Sequence, residues 1–299
     1  MADGRAETEK AFAEYKRLAE CGDWARWAEL FTEDAVYEEH WLGTFHGRPA
    51  IQAWIVDLMA QGRVTVWMEW QMFDDRRVCV YAWNNLPDPT GTGRRFTVPS
   101  SSLLEYAGDG KFSWEGDFYN GIEAERFIRE WQDAGGSLSM NPDPGLRGVH
   151  DWAPRPPATP FPRVEIEQAF ETYLARRTSA VRNHRWDEWT GQFTDKASYR
   201  NHRLGRVRGK AQIRNLPDDL LLAPPACGFR NKFHLIDGNR VSAVASLLFP
   251  DPAGTGSYSF DINTILHYAG NGEWSYAEDL YNPSEAEAAR HRSGGKSVG

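Results

Sequence analysis

The segment WARWAELFTEDAVYEEHWLGTFHG, residues 24–47, returns later in the chain as WDEWTGQFTDKASYRNHRLGRVRG, residues 186–209. The two segments begin at residues 24 and 186, so their offset is 162 residues. At this offset the identical pairs are Trp24/Trp186, Trp27/Trp189, Phe31/Phe193, Thr32/Thr194, Ala35/Ala197, Tyr37/Tyr199, His40/His202, Leu42/Leu204, Gly43/Gly205 and Gly47/Gly209. An ordered series of this length does not arise by chance, and it predicts a tandem duplication.

The duplication extends to both sides of this segment. The further matches are EKAF at 9 with EQAF at 167, LPDPTGTG at 86–93 with FPDPAGTG at 249–256, and YAGDGKFSWEGDFYN at 106–120 with YAGNGEWSYAEDLYN at 268–282. The last match returns to the offset of 162, whereas the first has a smaller offset. Copy two is therefore predicted to have a longer first helical hairpin.

The sequence between the copies, GGSLSMNPDPGLRGVHDWAPRPPATPFP, is rich in Pro and Gly. Both residues are unfavourable inside helices and sheets, so this stretch is predicted to be extended. We predict a first domain at 1–134, a linker at 135–162 and a second domain at 163–299.

Hydrophobic periodicity predicts an α+β fold within each copy. In copy one the predicted helices are 5–20, 24–31, 49–59 and 122–134, the predicted strands are 35–41, 64–73, 77–86, 96–106 and 111–120, and a turn is predicted at 43–47. Three helices followed by an antiparallel meander pack on one face of a curved sheet. Each copy is therefore predicted to be a cone with an open mouth.

Composition excludes several classes of function. The chain is 41% hydrophobic and 25% charged, with a formal net charge of -8, which argues against nucleic acid as a partner. The N-terminal residues lack the apolar region of a signal peptide, and no apolar run is long enough to cross a membrane. Cys21, Cys79 and Cys227 are too few and too widely spaced for a disulfide framework or a cysteine-rich zinc site. We therefore expect a cytoplasmic protein with no membrane partner.

The order of two helices, the segment FTEDAVYEEHWLGTFHGRPAIQAWI and four strands resembles the SnoaL-like and nuclear transport factor 2-like superfamily. This resemblance covers both copies and implies two cone-shaped barrel domains of the ketosteroid isomerase type. Many single-domain relatives pair through the open face of the sheet. The resemblance therefore implies an intramolecular pseudo-dimer, as a monomer or a higher homo-oligomer.

The resemblance also points to candidate catalytic residues in copy one. In the ketosteroid isomerases a catalytic carboxylate lies where this chain has Glu39 and His40, and a neutral-range histidine could move a proton in either direction. SnoaL-type cyclases have an acidic residue facing the cavity in the last strand, where Asp117 is the closest match. Strand alternation places Tyr119 on the same face as Asp117 and Glu115. The alternative is that these groups are structural tethers.

Other polar and aromatic residues complete the candidate site. Asn84 is a candidate for stabilising an enolate oxygen. The candidates for binding a substrate are Tyr37, Trp54, Trp67, Trp83, Trp114, Asn120 and Asn263.

Copy two keeps His202, Asp279 and Tyr281 as candidates but has Asn201 in place of Glu39. This divergence predicts either one working cavity and one altered cavity, or two cavities for different ligands. Copy one is favoured as the seat of chemistry.

The leading hypothesis is an enzyme without a cofactor that transfers protons on a hydrophobic, aromatic or polycyclic small molecule. The reaction classes are isomerisation, cyclisation, dehydration and lyase chemistry. His40 and His46 form no recognisable zinc motif, so no metal is expected. The alternatives are a small-molecule-binding protein without catalysis and an interaction scaffold that uses the sheet face.

Overall fold

The computed structural model describes residues 2–62, 64–143, 155–183, 185–203, 205–216, 228–254 and 256–294. The chain divides into two compact units, unit 1 at Met1–Val149 and unit 2 at His150–Gly299. Each unit contains one six-stranded sheet with helices. Two tandem α+β domains are therefore present, as the duplication predicts.

Unit 1 begins with helices and ends with a helix after the sheet. Its elements are α1 (Ala2–Cys21), α2 (Trp24–Ala28), β1 (Phe31–Glu39), β2 (Gly43–His46), α3 (Arg48–Gly62), β3 (Thr65–Asp74), β4 (Arg77–Leu86), β5 (Phe96–Gly108), β6 (Lys111–Phe118) and α4 (Gly121–Asp133).

Unit 2 repeats this order. Its elements are α5 (Arg163–Asn183), α6 (Asp187–Thr190), β7 (Phe193–Asn201), β8 (Gly205–Arg208), α7 (Lys210–Arg214), β9 (Gly228–Asp237), β10 (Arg240–Pro250), β11 (Ser257–Gly270), β12 (Glu273–Leu280) and α8 (Pro283–Arg292). Among the helices of the described ranges, none has the length and apolar character required to span a bilayer.

Both sheets are mixed rather than wholly antiparallel. The strand orders are β2-β1-β6-β5-β4-β3 in unit 1 and β8-β7-β12-β11-β10-β9 in unit 2. The predicted meander from β3 to β6 is antiparallel, but β1 runs parallel to β6. A parallel pair needs a long connection, and α3 with four strands supplies it here. The predicted turn at 43–47 contains strand β2, which pairs with β1.

The duplication is visible in individual hydrogen bonds. The N–H of Gly47 donates to the carbonyl of Ala35, and Gly209 donates to Ala197, both at 2.7 Å. Both glycines have a positive φ, 82° and 90°, which explains why the same residue type is retained. The two units therefore share backbone detail as well as element order.

Aromatic side chains fill the space between the helices and the sheet. In unit 1 the ring of Trp27 meets that of Phe31 at a centroid distance of 5.0 Å, and in unit 2 Trp189 meets Phe193 at 5.1 Å. All four residues are almost fully buried. Edge-to-face packing of this kind adds stabilisation beyond simple burial of area.

The units differ most in their helices. Helix α5 continues thirteen residues past Phe170, whereas α1 continues nine past the matching Phe12, which confirms the longer first helix of copy two. Helix α3 has 15 residues and its counterpart α7 has 5. Residues 217–227, which follow α7 and include Cys227, lie outside the described ranges.

The linker predicted at 135–162 includes residues outside the described ranges, so its extent stays a prediction. Its described end is anchored on unit 2. The side chain of Asn239 donates to the carbonyls of Pro157 and Thr159, at 2.7 and 2.9 Å, and accepts a hydrogen bond from the N–H of Phe161.

Candidate functional site

Unit 1 contains a cavity of about 350 Å³ between the sheet and its helices. Its wall is largely apolar and aromatic, and it includes Trp24, Trp27, Trp41, Trp54 and Trp131. Pockets of this size and character are typical of sites for small organic molecules. The polar groups that interrupt this apolar wall form the candidate functional site.

Two carboxyl groups of β6 lie side by side in the cavity. Glu115 and Asp117 are two residues apart on one strand, so their side chains project from the same face. The hydroxyl of Tyr37 links them, because it lies 2.6 Å from Asp117 Oδ2 and 3.3 Å from Glu115 Oε1. The Tyr15 hydroxyl donates to Glu115 Oε1 at 2.6 Å, and the Ser102 hydroxyl donates to Asp117 Oδ1.

Glu39 adds a third carboxyl group from the end of β1. It is 4% exposed, and it is paired in register with Asp117 on the neighbouring strand. Its Oε2 accepts hydrogen bonds from the N–H groups of Trp41, at 2.8 Å, and Leu42, while its Oε1 accepts one from the Tyr119 hydroxyl. Backbone N–H groups after β1 therefore bind one carboxyl oxygen of Glu39, and the phenol of Tyr119 binds the other.

Burial raises the pKa values of all three carboxyl groups. Desolvation raises the pKa of Glu39 to about 7, opposed by its hydrogen bond from Tyr119 and assisted by the charge of Asp117. Desolvation also raises the pKa of Asp117, and it raises the pKa of Glu115 well above its usual value with help from the Asp117 charge. Near neutral pH the site therefore holds carboxyl groups able both to accept and to release protons.

Four other predicted residues of unit 1 also reach the cavity. Tyr119 faces it, as do Tyr37 and Trp54, whose ring centroids are 4.9 Å apart. Asn84 lines the cavity and its amide donates to the hydroxyl of Ser100 at 3.1 Å. Together with Glu39 and Asp117 they form one contiguous site; their roles in catalysis and binding stay predictions.

The structure does not bring His40 to the cavity. It follows Glu39 directly, and consecutive strand residues project to opposite faces. Its ring packs against Phe118, at a centroid distance of 4.5 Å, on the other side of the sheet.

The same alternation moves three predicted tryptophans away from the cavity. Trp67, Trp83 and Trp114 are each adjacent to a residue that lines it, namely Val66, Asn84 and Glu115. Trp83 donates instead to Glu69 Oε2 at 2.6 Å. The Trp114 ring covers the position where a side chain at Gly116 would lie, and the Trp67 ring is 5.8 Å from Nζ of Lys16.

Asn120, a predicted binding residue, caps a helix instead of lining the cavity. It is the N-cap of α4, and its side chain accepts a hydrogen bond from the N–H of Glu123. It is absent from the cavity lining. In unit 2 Asn282 caps α8 in the same manner, which explains why both copies retain the residue.

Tyr15, Ser102 and Glu115 are site residues that were not among the predicted candidates. Strand alternation places Glu115 beside Asp117, so that signal was present. Tyr15 and Tyr173 occupy matching positions after EKAF and EQAF, and a tyrosine shared by two helices is the signal that could have identified Tyr15.

In unit 2 the polar groups contact one another. Asp279 accepts hydrogen bonds from Tyr199 and Thr264, both at 2.6 Å, and forms an ion pair with Arg177 at 2.8 Å. The Tyr281 hydroxyl donates to Asn201, in the place of the Tyr119–Glu39 pair, at 3.0 Å.

The remaining candidates of unit 2 lie on the other face of its sheet. His202 Nε2 lies 2.6 Å from Glu278 Oε1, a residue adjacent to Asp279 and therefore on the opposite side of β12. Asn263 precedes Thr264 and donates to the Ser242 hydroxyl at 2.8 Å. Neither side chain lies on the same face of the sheet as that of Asp279.

A family model described as a SnoaL-like domain matches the sequence twice, at residues 12–114 and 173–277. No curated protein matches the chain.

Solved structures match one unit's length of this chain. A hypothetical protein with a ketosteroid isomerase-like fold from Catenulispora acidiphila, in complex with trimethylamine, is 19% identical, with a TM-score of 0.34 and coverage of 44% of this chain and 97% of that one. A putative polyketide cyclase from Xanthomonas campestris is 14% identical, with a TM-score of 0.35 and coverage of 42% and 98%. An epoxide hydrolase from M. tuberculosis is 17% identical, with a TM-score of 0.36 and coverage of 44% and 95%.

Proposed function

The chain belongs to the SnoaL-like domain family, with one copy of the domain in each unit, and from this premise we propose that unit 1 is an acid–base enzyme. It acts without a cofactor on a hydrophobic small molecule, in an isomerase, cyclase, dehydratase or lyase type of reaction. The observation that carries this proposal is Glu39, a carboxyl group with a pKa of about 7 in the wall of an aromatic cavity.

The proposed chemistry divides the proton transfers between two carboxyl groups. Ionised Glu39 removes a proton from the substrate, and its pKa near the working pH suits it to that task. Asp117, whose pKa is also raised, returns a proton at a neighbouring atom. Because the two residues are paired across adjacent strands, one small molecule can reach both.

Hydroxyl groups of the cavity supply hydrogen bonds to the charge that develops on the substrate. Tyr37 and Tyr119 already donate to the carboxyl groups, and each can shift its donation to a substrate oxygen when its carboxyl partner becomes protonated. Asn84, on β4 of the same sheet, provides a further amide donor in the cavity lining. Such donors stabilise an enolate without the need for another charged group.

A binding protein without catalysis is the second candidate. It is favoured by the tyrosine and serine hydroxyls that donate hydrogen bonds to Asp117 and Glu115. If these polar groups serve only to form hydrogen bonds with one another, the cavity binds a ligand without transferring a proton.

The elimination of 5-nitrobenzisoxazole separates these candidates, because a carboxylate in an apolar cavity opens its ring by removing one carbon-bound proton. We expect the catalysed rate to rise through a pH of about 7, the pKa of Glu39, and Glu39→Gln to remove this rise. Glu38→Gln, on the opposite face of β1, is the matched control and keeps it. Catalysis that is unchanged in Glu39→Gln would refute the assignment.

A further inference from the structure

Arg177 of unit 2 corresponds to a small, uncharged residue in unit 1. It lies four residues after Tyr173 on α5, and Ala19 lies four residues after the matching Tyr15 on α1. Residues four apart lie on the same face of a helix, one turn along. The methyl group of Ala19 lines the unit 1 cavity, whereas Arg177 extends its guanidinium into the interior of unit 2.

The guanidinium of Arg177 is bound on several sides. Its Nη1 donates to Asp279 Oδ1 at 3.0 Å, to the Tyr173 hydroxyl at 3.1 Å and to Thr264 Oγ1 at 3.2 Å, while Nη2 donates to Asp279 Oδ2 at 2.8 Å. Its Cζ lies 4.6 Å from the ring centroid of Phe229 and 5.9 Å from that of Trp189. This is a desolvated cation site with a bidentate carboxylate and aromatic faces.

Unit 1 retains four of the groups that surround this cation, but it has Val66 in the place of Phe229 and no arginine in the place of Arg177. Asp117, Ser102, Tyr15 and Trp27 occupy the places of Asp279, Thr264, Tyr173 and Trp189, as the equivalent strand registers and helix positions show. Among the residues that the structure describes, the cavity lining includes no Lys, Arg or His. In unit 2 the arginine of the chain itself supplies the cation of this site. In unit 1 no described side chain of the cavity lining supplies one.

Unit 1 also has additional acidic groups. Glu115 is paired with Tyr37 in the same register as Ala277 with Tyr199, so copy one has a carboxyl group where copy two has a methyl group. Glu115 is fully buried and lines the cavity, and within the described ranges its Oε2 has no hydrogen-bond partner. A buried carboxyl oxygen of this kind calls for a hydrogen-bond partner, which a ligand can supply.

We propose that the unit 1 cavity binds an organic cation, a guanidinium, amidinium or protonated amine on an apolar body. The cation takes the place of the Arg177 guanidinium, against Asp117 and Glu115, and the apolar body lies among the tryptophans of the wall. An anionic ligand would face three carboxyl groups without a compensating charge. This proposal deepens the proposed function by naming its substrate class, but the binding itself does not depend on turnover.

Binding of a cation changes the protonation of the site. Among the described residues, the titratable groups that face the cavity are Glu39, Glu115, Asp117, Tyr15, Tyr37 and Tyr119. A cation beside the carboxyl groups favours their ionised forms. A cationic ligand therefore displaces protons, whereas a neutral ligand of the same shape does not.

Calorimetric titration with benzamidine, and with the neutral isostere benzamide, tests the proposal. We expect benzamidine to bind about tenfold tighter or better, because of its charge-assisted hydrogen bonds, with proton release revealed by titration in buffers of different ionisation enthalpy. Ala19→Arg, which places the arginine of copy two in copy one, should abolish this binding. Ala13→Arg, at an exposed position of the same helix, should leave it intact.

The reciprocal variant keeps the test valid if Ala19→Arg fails to fold. Arg177→Ala removes the internal cation, and ethylguanidinium should then raise the Tm of this variant more than that of the wild-type chain. Equal affinity for benzamidine and benzamide, or no benzamidine binding by the wild-type chain, would overturn the proposal. Either result could coexist with normal elimination of the neutral benzisoxazole, so failure here is distinct from failure of the proposed acid–base function.

Discussion

The carboxyl group of Glu39 is subject to opposing influences. Burial disfavours its charge, while hydrogen bonds from Tyr119, Leu42 and Trp41 favour it, and the net result is a pKa of about 7. Asn201 has the same place in copy two and cannot ionise, so this titration belongs to unit 1 alone.

Glu39 should make the stability of the protein depend on pH. Folding raises its pKa from 4.5 to about 7, so its stabilisation is complete below the lower value and is lost as the pH rises through the higher one. Between about pH 5 and about pH 8, the free energy of unfolding of Glu39→Gln should therefore decrease less than that of the wild-type chain, by on the order of 2 kcal/mol. Urea titrations at both pH values measure the difference, and parallel curves would show that the pKa is not raised.

Arg177 and Asp279 should prove strongly coupled. Arg177→Ala leaves a buried carboxylate without its cation, and such a loss costs about 3–5 kcal/mol. Exchange of both partners for apolar residues, as in Arg177→Met with Asp279→Leu, should cost less than the single change because no charge is left unpaired. A double-mutant cycle from chemical denaturation measures this coupling. Arg176→Ala, on the exposed side of α5, is the control, and additive single effects would contradict the assignment.

At the level of single residues, strand alternation was the informative signal. It places Glu115, Asp117 and Tyr119 on one face, which is where the structure has them. The same rule means that Glu39 and His40 cannot both face the cavity. Arg177 was not predicted, because a helical pattern does not distinguish an arginine that snorkels to solvent from one that is buried against a carboxylate on a distant strand.

At the level of elements, the last helix of each unit depends on an asparagine cap. Asn120 and Asn282 have extended backbones and accept hydrogen bonds from N–H groups in the first turns of α4 and α8. The α4 residues Phe127 and Trp131 form part of the cavity wall. The cap therefore supports the cavity through the position of the helix.

Asn120→Ala should reduce stability without changing the ligand site directly. Loss of an N-cap side chain costs about 1 kcal/mol, so the denaturation midpoint should decrease while the affinity for benzamidine stays within about twofold. Asn282→Ala is the matched change in unit 2, with a similar cost expected. A large loss of benzamidine affinity in Asn120→Ala alone would restore Asn120 as a binding residue.

Elements with a strong local pattern could be predicted from the sequence, and their pairing could not. The predicted strand 77–86 coincides with β4, because alternation and flanking turns define it locally. The short strand β2 was interpreted as a turn, since its four residues show no clear period. The parallel pairing of β1 with β6 joins residues far apart in the chain, and no local pattern specifies such a partner.

At the level of the whole molecule, the two copies of one fold have different polar groups in their interiors. Unit 1 has three carboxyl groups and an open cavity, while unit 2 has one of the matching carboxyl groups and an arginine that neutralises it. The sequence predicted this divergence from Glu39 and Asn201 but gave no indication of the internal cation. The internal pairing of the two sheets stays a prediction.

The pH dependence of benzisoxazole elimination, compared between Glu39→Gln in unit 1 and Asp279→Asn in unit 2, tests most directly whether unit 1 is the seat of acid–base chemistry. The account predicts that Glu39→Gln loses the rise in rate near a pH of about 7, while folded Asp279→Asn keeps it. Loss of the rise in Asp279→Asn together with its retention in Glu39→Gln would contradict the account.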